Sequence, residues 1–480
     1  MPNEAKSYDL IIIGGGPAGI AAASEAISLK KTVALVDCHH ELGGAGFNSG
    51  TVPSKSLREA ALAMSGLKNR NLAGVELSLR KDSAISDFLG RNQNVRALFN
   101  HGLKTAIESR LNKVLFGQAT FVDAHTVSVA APPGQGADAK PFVLRAEHIL
   151  IATGSSPVLP EVFTYGNGRI YDSATIPQLD RVPKTLAIIG AGVIGSEYGC
   201  TFTELGSTVH IIDERDALLP FLDAEISAAL KIAMARAGVN FHWKETVQKC
   251  ELLPSGETRL TLTSGLLLNV GAVLVAVGRK SNTEGLGLAV AGVKTGELGI
   301  IPVDSHYRSN VSHILAAGDV IGFPALASTS MEQARRAVAS AFGQAVSATS
   351  PLLPNGIYTI PEVSMVGETE ESLIKEGVDY VVGRARYMDN ARGQSIGDKA
   401  GFLKLLVRRD TMQLLGVHVI GEQATELIHI GLMAMQDNSP VNRFVDTCFN
   451  IPTLGALYKA AAQDAVQQIG ESELGLPSFY

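Results

Sequence analysis

Four cysteines in 480 residues, Cys38, Cys200, Cys250 and Cys448, form no C-x-x-C pair and no metal-ligand spacing. Their scatter excludes a disulfide framework or a zinc site as the basis of the fold, and no bound metal is expected. They read as buried structural thiols in a reducing compartment. An excess of positive charge is also missing. With 41 Lys and Arg against 47 Asp and Glu, a net charge of -6 gives no electrostatic basis for binding nucleic acid or an anionic membrane. Long apolar runs are missing too: Leu10 to Ile13 meets glycine after four residues, with no basic lead or cleavage site. Neither a signal peptide nor a membrane span is expected, which makes the cytoplasm the expected location.

What the chain has is length and glycine. At 480 residues it exceeds one compact core, and a prior of roughly 100 to 200 residues per domain suggests about three. A hydrophobic content of 46% and a charged content of 18% describe a globular protein. Tyr8 to Ile13 predicts a short strand, and Gly14-Gly15-Gly16-Pro17-Ala18-Gly19 then opens an Ala-rich helix running to about Lys30. Thr32 to Val36 predicts a second strand, ending in Asp37. This is the order of a dinucleotide fold. Gly14 allows the tight turn, Gly16 lets a pyrophosphate approach the backbone, and Gly19 permits close helix packing. The helix N-terminus offers N–H groups and a partial positive charge to the phosphates, and Asp37 would bind adenosine ribose hydroxyls.

Beyond this unit, 57–112 predicts a long helical region whose Arg58, Arg91, Arg96 and Lys104 read as a solvated face. From Lys113 to Val143 the period shifts toward two, with a strand at Thr126 to Ala130 and a turn at Pro132 to Gly136. Glu147 to Ala152 then runs into Thr153-Gly154, which suits a backbone passing close beneath a bound cofactor. The pattern restarts at Thr185. Leu186 to Ile189 is a strand, Gly190-Ala191-Gly192-Val193-Ile194-Gly195 a second fingerprint, and Val209 to Ile212 a strand ending in Asp213. A meander follows and ends in Val273 to Gly278, the counterpart of Ile149 to Gly154. Two such units imply two nucleotides, and the economical chemistry between them is hydride transfer from a nicotinamide to a flavin. Asp213 accepts hydrogen bonds from a ribose 2'-hydroxyl and repels a 2'-phosphate, and Glu214 reinforces that bias, so NADH is expected to be favoured with NADPH also admitted. Arg215 reads either as a surface cation or as a contact for a 2'-phosphate.

Several further motifs resemble the pyridine nucleotide-disulfide oxidoreductase family across essentially the whole chain. Ala152-Thr153-Gly154-Ser155 and Ala276-Val277-Gly278-Arg279 are similar to its domain-joining segments, Ala316-Ala317-Gly318-Asp319-Val320 to its second flavin motif, and Tyr358 to Val363 to the start of its dimer-interface domain. The resemblance implies an α/β fold with two Rossmann-like dinucleotide-binding domains and a C-terminal α+β dimerisation domain. The expected boundaries are 1–155 with 278–348 for FAD, 156–277 for NAD(P), and 349–480 for the homodimer interface. It implies FAD contacts at Gly44, Ala119, Gly318, Asp319 and the stretch Ala325-Leu326-Ala327, with Asp319 bonded to the ribityl chain. It also implies that Lys55 and Glu197 pair beside the flavin, where an ammonium stabilises negative charge built up by hydride transfer. Val193 stands where some members carry a flavin-covering tyrosine, so no aromatic gate is expected.

The same likeness locates what is missing. Gly43-Gly44-Ala45-Gly46-Phe47-Asn48-Ser49-Gly50-Thr51-Val52-Pro53-Ser54-Lys55 resembles the family's redox-disulfide helix, with Gly46 and Thr51 in place of its two cysteines. Ile451-Pro452-Thr453-Leu454-Gly455-Ala456 stands where the family has His-Pro-Thr-x-x-Glu. His418 and His429 read as structural histidines that do not replace the lost imidazole. Disulfide substrates are therefore not expected. Ala391 to Gln394, Gly421 to Gly431 and Phe449 to Thr453 resemble the soluble pyridine nucleotide transhydrogenases, a group within the family, although Gly46 and Ala456 replace its usual cysteine and glutamate. The leading expectation is a FAD-dependent NAD(P)H oxidoreductase whose second small-molecule partner is NAD(P)+. An alternative sends the electrons to a quinone or another small acceptor, using space freed by Gly46. A third reading is a non-catalytic flavin-binding redox sensor or structural partner.

Overall fold

A computed structural model describes residues 6–69, 102, 105–108, 112–130, 141–346 and 352–469. The expectations for Arg91, Arg96, Lys104 and the turn at Pro132 to Gly136 fall outside the described residues. In the first unit, strand β1 (Lys6–Ile13) lies between β2 (Val33–Asp37) and β6 (Phe142–Ile151), parallel to both. β3 (Lys113–Phe116) extends the β2 edge, while β5 (Thr126–Ala130) and β4 (Gln118–Asp123) follow β6 antiparallel. The much later strand Ile314–Ala316 returns to pair with β6. A central parallel strand is covered on both faces, which is why Leu10 to Ile13 is an unbroken apolar run and almost fully buried.

Helix α1 (Pro17–Ser28) begins with proline at its first position, where the fixed φ suits a helix and no N–H is required. Its alanines Ala22, Ala23 and Ala26 meet Leu10 and Ile12 of the sheet and Ala334, Ala337 and Val338 of the helix Ala327–Ala341. Short side chains let the two helices lie close over one face. The 3.6-residue helical period and the continuous strand run thus meet in one core.

The second unit repeats this plan. β7 (Ile170–Asp172), β8 (Thr185–Ile189), β9 (Thr208–Asp213), β10 (Asn240–Trp243) and β11 (Ala272–Val275) form a parallel sheet in the order β10-β9-β8-β11-β7. In the C-terminal unit, β12 (Asn355–Ile357), β13 (Val363–Gly367), β14 (Tyr380–Arg386), β15 (Phe402–Arg408) and β16 (Leu414–Ile420) form an antiparallel sheet, with helices Ala424–Gln436 and Leu457–Ile469 sharing its core.

Two charged side chains fasten the units together. Lys404 of β15 is fully buried; it donates to both oxygens of Asp223 at 2.8 and 2.9 Å, and it also pairs with Glu225 and Glu370. A buried ammonium is tolerated because these carboxylates compensate its lost hydration. Arg58 was expected on a solvated face, but it is 4% exposed. It donates to Thr359 O and to Glu362 Oε1 at 2.9 Å, tying the N-terminal unit to the C-terminal one. The period of its own helix could not reveal partners about 300 positions away. The cysteine expectation also needs correcting: Cys200 is buried, Cys250 is half-buried, and Cys38 and Cys448 are exposed.

Candidate active site

The two glycine turns have one geometry. A β-carbon at Gly14 would stand 2.2 Å from Ala152 O, and one at Gly19 would stand 1.8 Å from Gly14 O. The corresponding distances are 2.4 Å from Gly190 to Ala276 O and 1.9 Å from Gly195 to Gly190 O. Gly14 and Gly190 also hold φ of +112° and +106°, which L side chains rarely adopt. The middle glycines differ in kind. A β-carbon at Gly192 would meet nothing within 4 Å, and one at Gly16 only Gly44 Cα at 3.8 Å. The turn and packing glycines are thus required by the protein itself, whereas the middle ones leave space in front of a helix N-terminus, where a pyrophosphate fits. Each unit's acid braces its own turn. Asp37 Oδ2 accepts from Gly15 N at 2.5 Å, and Asp213 Oδ2 accepts from Ala191 N at 2.7 Å.

Several of the residues expected around FAD lie beside the first turn. Thr153 Oγ1 is buried and has no hydrogen-bond partner, and a β-carbon at Gly154 would meet nothing within 4 Å. An orphaned buried hydroxyl beside open space fits a bound polar cofactor. Asp319 Oδ2 accepts from Ser155 Oγ at 2.6 Å, and Arg279 Nε donates to that same hydroxyl at 2.7 Å, so the carboxylate is oriented. Gly318, at φ +82°, donates its N–H to Gln333 Oε1 at 2.9 Å. The expected disulfide segment forms α2 (Gly44–Asn48) and the start of α3 (Thr51–Asn69), and it lies against the turn. A β-carbon at Gly44 would stand 2.9 Å from Gly16 Cα. Ala119 sits apart: its side chain is in the core of the first unit with Phe121 and Val129.

Gly46 does not open a pocket. A β-carbon there would stand 2.8 Å from Pro17 Cγ and 4.0 Å from Ala327 Cβ. The space attributed to the missing cysteine is filled by the start of α1.

Lys55 on α3 and Glu197 on α4 (Val193–Glu204) meet across the two units, with Lys55 Nζ 2.5 Å from Glu197 Oε2. The other oxygen, Oε1, accepts from Tyr358 N at 2.8 Å, and the Lys55 ammonium lies 4.8 Å from the centre of the Tyr358 ring. The carboxylate is held from one side by backbone and from the other by the ammonium, which fixes the position of that charge.

Beside this pair lies a cavity of about 660 Å³, walled by Gly190, Gly192, Val193 and Ile194 and reaching Asp213 and Gly278. Ala325 and Leu326, expected at FAD, face the same cavity, and Ala327 begins the helix behind them. Val193 lines the wall, and aromatic surface is present from elsewhere. Phe221 and Phe323 also line the cavity, with ring centroids 5.9 Å apart, and Phe323 is 74% exposed. They come from loops of different units and belong to no motif; their only signal is a neighbouring proline, Pro220 or Pro324. His418 is buried with Nε2 2.8 Å from Glu368 O, and burial holds its ring below the usual histidine range. His429 is exposed, 3.2 Å from Glu426 O.

Two nucleotide turns joined by an ion pair beside an apolar cavity define a two-dinucleotide oxidoreductase. The chain belongs to the pyridine nucleotide-disulphide oxidoreductase family: that family's model matches residues 8–341, and the model of its dimerisation domain matches residues 353–462. The family uses FAD and NAD(P)H. The chain is 39% identical over 464 residues to the soluble pyridine nucleotide transhydrogenase of Mycobacterium tuberculosis, covering 97% of this chain and 98% of the relative. It is 40% identical over 468 residues to the enzyme of the same name from Azotobacter vinelandii, covering 96% and 99%. Among solved structures it resembles LpdA from Mycobacterium tuberculosis, with a TM-score of 0.87 and 27% identity over 96% of this chain and 99% of that one. It also resembles the flavoprotein disulfide reductase RclA from Escherichia coli in its Cu(II) complex, with a TM-score of 0.84 and 25% identity over 95% and 99%. Among the described residues, no helix is long and apolar enough to cross a membrane.

Proposed function

We propose that this chain is a FAD-dependent transhydrogenase that takes hydride from one nicotinamide nucleotide and delivers it to another. The observation that carries this is the Lys55–Glu197 pair joining the two nucleotide units in a chain whose dithiol positions are Gly46 and Thr51. FAD supplies the redox chemistry when bound. The turn at Gly14, Gly16 and Gly19 with Asp37 holds its dinucleotide portion, while Gly44, Thr153, Gly154, Gly318 and Asp319 enclose the rest. Ala119 contributes main chain only, because its side chain is in the core.

Gly190, Gly192, Gly195, Asp213 and Gly278 hold the nicotinamide nucleotide. The N-terminus of α4 receives its pyrophosphate. Val193, Ile194, Ala325 and Leu326 form apolar walls that keep water from the reacting end. The Lys55 ammonium, fixed by Glu197 and through it by Tyr358 N, sets positive charge where reduction accumulates negative charge. Departure through a dithiol needs two cysteines and an imidazole; His418 is buried on a backbone carbonyl and His429 is not paired with any thiol in the described residues. The donor pocket then serves the acceptor as well.

The transhydrogenase relatives, similar over nearly their full lengths, support this reading. We read residues 1–155 with 278–348 as the FAD unit, 156–277 as the NAD(P) unit, and 349–480 as the surface of a cytoplasmic homodimer. The quinone alternative loses its support, since Gly46 frees no space.

The test is an anaerobic mixing experiment. NADH or NADPH should bleach the flavin, and a thionicotinamide analogue should restore it. Rapid recovery with a quinone and none with the analogue would defeat transhydrogenation, and failure of both nucleotides to bleach the flavin would defeat any NAD(P)H oxidoreductase.

A further inference from the structure

The acids at the ends of the two duplicated units are in different states. Asp37 accepts from two backbone amides, Gly15 N and His39 N, and no lysine or arginine among the described residues pairs with it. Its side-chain neighbour is the exposed ring of His39, at 3.4 Å. It retains accepting capacity for sugar hydroxyls.

Asp213 has none to spare. Its Oδ2 accepts from Ala191 N at 2.7 Å and from an Arg215 terminal nitrogen at 2.8 Å. Its Oδ1 accepts from Arg215 N and Arg215 Nε, both at 2.9 Å. A carboxylate has about four accepting positions, so all are filled. The Asp213 side chain is nearly buried, whereas that of Arg215 is half exposed, and both line the cavity. At the Asp213 position this end of the cavity therefore presents the outer edge of a guanidinium, flanked by Glu214 and Glu245.

The geometry points to Arg215 as the residue that lets the second site accept a 2'-phosphate as well as a free 2'-hydroxyl, by capping the Asp213 carboxylate. This deepens the transhydrogenase reading and rests on it, because such an enzyme meets both kinds of nicotinamide nucleotide. A guanidinium has five N–H donors. Nε and one terminal N–H engage Asp213, leaving three N–H donors, and a phosphate accepts such a fork well. Asp213 need not face the phosphate bare, so the repulsion that an aspartate exerts at this position is masked. When the nucleotide has only a hydroxyl, one Arg215 bond yields and Asp213 accepts from the sugar, as Asp37 is free to do in the first unit. Glu214 and Glu245, which also line this end, leave Arg215 as its cationic element. The nearby Lys244 is engaged with Asp216 at 3.0 Å.

Fragments that cannot be reduced test this apart from catalysis. Calorimetric titration of the FAD-loaded protein with 2',5'-ADP and with 5'-AMP should show both binding, with affinities within about tenfold of one another. Loss of charge-assisted hydrogen bonds in Arg215→Ala should weaken 2',5'-ADP by roughly 10- to 100-fold and leave 5'-AMP unchanged or tighter. Arg215→Lys should restore part of the loss, and Asp213→Asn should weaken 5'-AMP while sparing 2',5'-ADP. Melting curves with unchanged FAD content show that each variant is folded. The proposal is overturned if the unsubstituted protein binds 5'-AMP alone, or if Arg215→Ala weakens both fragments equally. Failure of the hydride relay with normal fragment binding would strike the transhydrogenase reading; relay between NADH and an NAD+ analogue without 2'-phosphate recognition would strike this inference alone.

Discussion

Lys55 Nζ stands 2.5 Å from Glu197 Oε2 although the residues are 142 positions apart and belong to different nucleotide units. The pair closes the junction between the two glycine turns. A backbone donor, Tyr358 N, also holds the Glu197 carboxylate, which fixes the position of the pair.

Lys55→Ala should slow reduction of the flavin by NADH by roughly 100-fold, the usual scale for losing one preorganised electrostatic group. FAD content should be unchanged, because the cradle at Thr153, Gly154 and Asp319 does not include the lysine. Stopped-flow absorbance gives both quantities, and an unaltered reduction rate would remove Lys55 from the reaction.

The glycines of the second turn should separate folding from binding. Gly195→Ala forces a β-carbon to 1.9 Å from Gly190 O and should cost roughly 2–3 kcal/mol of stability. Gly192→Ala meets nothing within 4 Å at a φ of -72° that alanine accepts. It should melt as the unsubstituted protein does and yet weaken nicotinamide nucleotide binding by about tenfold or more, since the methyl occupies the pyrophosphate's approach. Paired thermal melts and binding titrations check this; equal behaviour of the two variants would refute the distinction.

Lys404→Met leaves the buried Asp223 and the half-buried Glu225 and Glu370 together without their ammonium and should destabilise the protein by about 3 kcal/mol at neutral pH. The pH dependence has a definite sign. Burial pushes the Asp223 and Glu225 carboxyls up, but Lys404 and their other hydrogen-bonding and charged partners bring both below the usual range. Their stabilisation is present above an unfolded carboxylate pKa of about 4 and is lost as pH falls through the depressed folded values. In Lys404→Met the crowded carboxylates should titrate above the unfolded range, so that variant gains stability on acidification from neutrality toward pH ~5. Urea midpoints across pH report both trends, and parallel curves would show that the lysine does not govern the cluster.

The absence of a dithiol should be visible in reducing equivalents. Anaerobic titration should end at one NADH per subunit, the capacity of a flavin alone; consumption of a second would reveal a redox disulfide. A thiol reagent should modify Cys38 and Cys448 in the native protein and spare Cys200, whose thiol is pushed up to about 12 by burial. Native labelling of Cys200 at the rate of the exposed pair would contradict its packing.

Much of this architecture was legible because it is local. Each G-x-G-x-x-G lies within one strand, turn and helix, and the steric need for Gly14, Gly19, Gly190 and Gly195 arises from backbone atoms that the motif itself brings close. The Lys55–Glu197 pair was inferred through family resemblance, since no spacing rule connects positions 55 and 197. Arg58 was misread because a charged side chain in a helical stretch implies solvent, whereas its partners Thr359 and Glu362 come from the last unit. The aromatic walls escaped notice for the same reason: Phe221 and Phe323 each sit in a loop, and only folding brings their rings together.

The sequence by itself determined two nucleotide-binding units and the acids closing them, because each is written in neighbouring residues; the loss of the dithiol with its acid–base partners was legible through resemblance to the family. Tertiary structure alone decided that Gly46 opens no space, that Lys404 lies buried among carboxylates, and that Arg215 covers Asp213. Those outcomes depend on which side chains converge and on how a shared carboxylate distributes its few hydrogen bonds. Residue identity at one position does not specify either.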